Sequence, residues 1–274
     1  MTGNRLTRRL EQARSQGRKC LLPYVTAGYP DLETTTQLLR RLDDAGCQAI
    51  EIGVPFSDSI ADGPVIQESF YRALDGGFKV DELFSAVAEV REQLSAALLI
   101  MVSMSIVRRR GVETFAKRAA ASGFDGLIVP DVPADECSSL ARQAQSCGLC
   151  NVLMAAPTSS DERRRRIAEL STGFVYLIAA RGITGERRDL SADLANNVRR
   201  VRSLTALPLM VGFGISTAEH VRAVCREADG AIVGSAIIRR IADCLNEKKS
   251  RQEIIDVVGH YVDELITGTN GQGD

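Results

Sequence analysis

The chain has only two histidines, His220 and His260, in 274 residues. A histidine-rich metal site is therefore excluded, and a Ser-His-Asp triad is disfavoured. No apolar run is long enough to cross a bilayer. The N-terminus carries positive charge but no apolar stretch after it, so no secretory signal is expected. There is no excess of either charge sign. The formal net charge is −1, which gives no general pull toward nucleic acid or an anionic membrane. The seven cysteines are an odd number spread along the chain, which fits reduced thiols in a cytoplasm better than a disulfide framework. No Pro-, Gly- or Ser-rich linker divides the chain.

What the chain has is alternation. Short apolar runs occur at Cys20–Val25, Ala49–Val54, Leu98–Val102, Gly126–Val129, Asn151–Ala155, Phe174–Ile178, Leu209–Gly212 and Gly230–Val233. Each reads as a strand buried on both faces. Amphipathic helical spacing separates them, as in Leu38, Leu39, Leu42 and Ala45, and in Val112, Phe115, Ala116 and Ala119. Ile254, Ile255, Val258, Val262 and Leu265 predict a last helix, and Leu6, Leu10 and Ala13 an extra one before the first strand. Eight strand–helix units in a chain of this length point to an α/β fold, a single (β/α)8 TIM barrel over residues 1–266. A doubly wound open sheet is the alternative. The tail at 267–274 is expected to be disordered.

A barrel puts functional residues at the C-terminal ends of its strands. Glu51 lies inside the second apolar run, between Ile50 and Ile52, where a carboxylate is costly to desolvate without a partner or a task. Asp62 follows on the next loop, before Gly63-Pro64. Two carboxylates so placed suit proton transfer on a bound small molecule. A buried acid paired with a cation, and an Asp that merely caps a turn, are the bland alternatives. Glycine-bearing loops follow the last three strands at Gly182–Gly185, Gly212–Ser216 and Gly234-Ser235. Backbone N–H groups at such loops and at a helix N-terminus form a barrel's usual phosphate site. Ser216 and Thr217 are candidate helix caps. Cys147-Gly-Leu-Cys150 has redox spacing but no second pair, and reads as structural. Arg163–Arg166 reads as a solvated face. Arg108–Arg110, at the functional rim, is either surface charge or an anion-steering patch.

The segment Ile50–Pro64 resembles the active-site region of the tryptophan synthase alpha chain family. Pro23–Gly28, Val129–Pro133 and the three glycine loops extend the resemblance from about the first helix to the last strand. It implies retro-aldol cleavage of indole-3-glycerol phosphate to indole and glyceraldehyde 3-phosphate, with Glu51 as acid–base and Asp62 holding the indole N–H. By the same resemblance Gly185, Phe213, Gly214, Gly234 and Ser235 contact phosphate, Tyr24 and Ser103 border the indole pocket, and Gly182 and Thr184 belong to a lid. Asp58 lies on the face toward a pyridoxal-phosphate-dependent beta subunit. No cofactor and no metal are implied for this chain itself, and the expected location is cytoplasmic. Five positions depart from the family pattern. Ser103 and Ser105 stand where a tyrosine and an asparagine are usual, Ser59 where proline is, and Ala179-Ala180 where Ser-Arg is. They leave open a stand-alone lyase of specialised metabolism, a changed substrate, or a phosphate-sensing regulatory subunit without turnover.

Overall fold

Strands covered on both faces need apolar side chains on both, and the runs above supply them. The computed structural model describes residues 3–59, 62–179, 189–212 and 214–270. In it β1 (Cys20–Thr26), β2 (Ala49–Gly53), β3 (Ala97–Met101), β4 (Gly126–Ile128), β5 (Cys150–Val152), β6 (Met154–Ala155), β7 (Val175–Ile178), β8 (Leu209–Gly212) and β9 (Gly230–Val233) form one parallel sheet. Its order is β5-β4-β3-β2-β1-β9-β8-β7-β6. The two ends, β5 and β6, are one stretch of chain interrupted at Leu153. The expected fifth strand is thus split between two neighbours, β4 and β7. Thr172 N–H donates to the Asn151 carbonyl at 2.8 Å and Tyr176 N–H to the Leu153 carbonyl at 3.0 Å, which joins the ends. The sheet is therefore a barrel, not an open doubly wound layer.

Helix α1 (Arg5–Ser15) precedes the barrel and α2 (Leu32–Asp44) follows β1. Two helices follow β2, α3 (Pro64–Asp75) and α4 (Val80–Val90), and two follow β3, α5 (Met104–Arg110) and α6 (Val112–Ala121). Then come α7 (Ser138–Ser146), α8 (Asp161–Leu170), α9 (Asp189–Arg202), α10 (Ala218–Glu227), α11 (Ser235–Asn246) and α12 (Arg251–Ile266). Capping explains several of the starts. Asp31 accepts from Thr34 N–H at 2.6 Å and opens α2, whose Leu38, Leu39 and Leu42 are fully buried. Ser250 and Glu253 form a reciprocal capping box on α12. No helix among the described residues is long and apolar enough to cross a membrane.

Successive strand residues face opposite sides, which makes two cores. Leu21, Val25, Ile50, Ile52, Leu98 and Ile100 point outward to the helices. Cys20, Leu22, Ala49, Ala97, Leu99, Met210 and Ile232 fill the lumen together with Leu6, Leu10 and Ala13 of α1. Asn4 fixes α1 across the N-terminal end of the barrel. Its Oδ1 accepts from Leu6 N–H, and its Nδ2 donates to the Asp125 and Gly148 carbonyls at 2.7 Å each. The expected disorder beyond 266 is not what Thr267–Thr269 show. They form a 3₁₀ turn against α10, where a Cβ on Gly268 would overlap the Ala218 carbonyl; residues 271–274 lie outside the described residues.

Candidate active site

Glu51 takes its position from strand parity. Ala49, Glu51 and Gly53 share the lumen face of β2, while Ile50 and Ile52 face the helices. Parallel pairing sets Glu51 beside Tyr24 of β1 on one side and Leu99 of β3 on the other. Its side chain is fully buried, and among the described residues neither carboxylate oxygen has a hydrogen-bond partner. A structural ion pair for Glu51 is therefore not what these residues make. Burial pushes its pKa from the ordinary 4.5 up to about 8. At neutral pH the group is mostly the neutral acid, a proton donor in a dry site.

Two phenols flank it. Tyr24 experiences the fields of both Glu51 and Asp62, and Tyr176 of β7 those of Glu51 and Tyr24. Burial raises both phenol pKa values well above the usual range, so both stay neutral. Each ring lies over a glycine at a strand end. A Cβ at Gly53 would lie 2.6 Å from Tyr24 Cε2, and one at Gly212 would lie 2.7 Å from Tyr176 Cζ. Tyr176 escaped the sequence reading. Its signal was a polar-tipped ring at a lumen parity position, masked inside an apolar run. Gly212→Ala is expected to push the Tyr176 ring aside and destabilise the fold by about 1–3 kcal/mol. Urea unfolding reads this directly, and adding Tyr176→Phe should recover part of the loss. An unchanged midpoint would show that the ring is not confined there.

Asp62 is half-buried, and burial raises its carboxyl above the ordinary range. It does not cap α3: the N-cap is Gly63, with no side-chain cap bond. The loop is instead held by Gln67, whose Nε2 donates to the Ser59 carbonyl at 3.0 Å and the Asp62 carbonyl at 2.8 Å. Asp62 N–H donates to the Ser59 carbonyl at 3.0 Å. Both bonds to Ser59 use its backbone carbonyl and not its hydroxyl, and among the described residues no hydrogen bond or ion pair takes up the Asp62 carboxylate.

The rim beyond β8 and β9 turns on two glycines, Gly214 and Gly234. Gly214 has φ +74°, a left-handed conformation that glycine adopts without strain. Thr217 caps α10 by accepting from His220 N–H at 3.2 Å, while Ser216 meets His220 Nδ1 instead. Gly234 is the N-cap of α11, and no side chain caps that helix. Its first turn opens beside Tyr24, which lies in van der Waals reach of Gly234. Gly182, Thr184, Gly185 and Phe213 lie outside the described residues.

The family model for the tryptophan synthase alpha chain matches residues 10–265. The chain belongs to the tryptophan synthase alpha chain family. A Synechococcus elongatus tryptophan synthase alpha chain is 44% identical over 232 residues, covering 84% of this chain and 87% of that one. One from Prochlorococcus marinus is 38% identical over 272 residues, 98% of each. The crystal structure of tryptophan synthase subunit alpha from Legionella pneumophila superposes with a TM-score of 0.88 at 32% identity, covering 97% of this chain and 98% of that one. By this membership the chain is a lyase-type enzyme of the tryptophan synthase alpha class.

Within this tryptophan synthase alpha fold, the end of β3 shows what the serines do. Ser103 is buried and is the N-cap of α5. Its hydroxyl donates to Asp131 Oδ2 at 2.7 Å and lies 2.8 Å from the Ser105 hydroxyl. Met104 N–H donates to both Asp131 oxygens, at 2.9 and 3.0 Å. Asp131 thus caps α5 across from β4, a role that its place in Val129–Pro133 did not reveal. Arg110 of α5 pairs with Asp81 at 2.7 Å. The arginine run on α8 corrects the expectation of a solvated face. Arg164 is buried, with Nη1 on Asp161 at 3.0 Å and Nη2 on the Pro157 carbonyl at 2.8 Å. It folds back over the start of its own helix. Cys147 ends α7 and Cys150 starts β5, both as free thiols. Asp58 is exposed on the loop between β2 and α3.

Proposed function

We propose that this chain cleaves indole-3-glycerol phosphate to indole and glyceraldehyde 3-phosphate at the C-terminal rim, with Glu51 as the acid–base. The observation that carries this is a fully buried carboxyl, without a partner among the described residues, that keeps its proton to about pH 8.

The chemistry asks for such a group. Protonation of the indole ring at C3 makes an indoleninium-type electron sink. The C3′ hydroxyl then gives up its proton, the C3–C3′ bond breaks, and its electron pair restores the aromatic indole. One proton goes in and one comes out. Glu51 supplies the first as the acid and recovers the second as the carboxylate. Asp62 holds the indole N–H and offsets the positive charge that develops on the ring. Tyr24 and Ser103 border the ring. Gly185, Phe213, Gly214, Gly234 and Ser235 take the phosphate through backbone N–H groups, with the α11 N-terminus adding its dipole. Gly182 and Thr184 belong to the lid over it. The exposed Asp58 loop is the face offered to a beta subunit that consumes the indole.

The test is indole release from indole-3-glycerol phosphate by the purified chain, alone and with a tryptophan synthase beta subunit added. Release that needs or is accelerated by the beta subunit supports the two-subunit reading. Fast release by the chain alone supports a stand-alone lyase. Release in neither condition overturns the substrate assignment.

A further inference from the structure

One side chain of α12 links the two described arms of the rim, the turn after β8 and the opening of α11. Tyr261 is buried, and its hydroxyl donates to the Ser216 carbonyl at 2.7 Å. Its ring lies under the Arg240 guanidinium, with Cζ 3.1 Å from the ring centroid. Arg240 belongs to α11 and donates from Nη1 to the Ala236 carbonyl at 3.2 Å, in the first turn of that helix. A continuous path of contacts therefore runs from the Gly214–Ser216 turn, through Tyr261 and Arg240, to the residues that follow Gly234 and Ser235. The turn is braced from a second side. Ser216 N–H points to His220 Nδ1 at 3.4 Å, and Gly268 packs on the first turn of α10.

We propose that Tyr261 is a positioning residue for the phosphate end of the substrate. Its hydroxyl fixes the Gly214–Ser216 turn relative to the start of α11, so that backbone N–H groups from two different strand ends converge on one phosphoryl group. This rests on the phosphate reading above. The physical reason is geometric. Backbone donors on two separate segments satisfy one anion only if both sit near 2.9 Å from its oxygens at once. A brace that holds them there in advance removes an ordering cost from binding. The reacting carboxyl, Glu51, lies on β2 and is not on this path.

Tyr261→Phe tests it. The change keeps the ring under Arg240 and removes only the bond to Ser216. Affinity for glycerol 3-phosphate, read by calorimetry, is expected to fall about two- to tenfold, the span of one net hydrogen bond. KM for indole-3-glycerol phosphate should rise by the same factor with kcat nearly unchanged. Binding of indole, which has no phosphate, should not move. Unchanged glycerol 3-phosphate affinity, or equal weakening of both ligands, overturns the proposal; the second result would mark a general packing role. If the unsubstituted protein fails to bind glycerol 3-phosphate, the phosphate reading itself falls and the inference with it. That outcome is read before any variant is made.

Discussion

Glu51→Gln is expected to lower kcat for indole release by about 10²–10⁴-fold, the range that a positioned acid–base supplies. The amide keeps the size of the acid and its place on β2 between Tyr24 and Leu99. It neither gives a proton to the indole ring nor takes one from the hydroxyl. Glycerol 3-phosphate should bind nearly as before, because the loops proposed for the phosphate follow β7, β8 and β9 and not β2. Steady-state kinetics with a parallel binding titration separates the two effects. Loss of binding together with turnover would instead mean that Glu51 organises the site. Retained turnover would remove it from the mechanism.

Glu51 should also make stability depend on pH, with a definite sign. The unfolded chain releases this proton near the ordinary 4.5, whereas the folded chain holds it to about 8. Between those values the folded state binds more protons. Stability from the protonated form is thus complete below about 4.5 and is lost as pH rises to about 8. The glutamine variant cannot ionise and escapes this loss. Its melting temperature relative to the unsubstituted protein should therefore climb between pH 5 and pH 8.5, by an amount worth several kcal/mol. Asp62 and the buried cysteines titrate in both proteins and cancel in the difference. A flat difference would show that Glu51 is solvated or paired in solution. In the same range kcat/KM should fall as pH rises through about 8, because the acid form is consumed.

Much of this was legible in the sequence because burial on both faces leaves a plain mark. Seven of the eight apolar runs became single strands within a residue or so, and Leu6, Leu10 and Ala13 of α1 were found by spacing alone. The fifth run split because its halves bond different neighbours, a property of ring closure that no local pattern carries. Glu51 stood out because a charge inside an apolar run is rare. Tyr176 and Asp131 did not, since each acts through a contact with a distant segment, and Gln67 did not, because it holds backbone carbonyls five and eight residues before it that no spacing rule marks. An aromatic ring in a strand, a glutamine on a helix and an aspartate in a turn all look ordinary by themselves. Arg164 illustrates the reverse error. A run of like charges suggests solvent, yet its second member closes the start of its own helix.

The N-terminal helix has a consequence for the order of assembly. The Asn4 side chain bonds carbonyls 121 and 144 residues further along the chain. The lumen residues that meet Leu6 and Leu10 run from β1 to β9. The seat of α1 is thus complete only when segments far along the chain are in place. Until the strands have closed into a ring, its apolar stripe has nothing of its own to cover it.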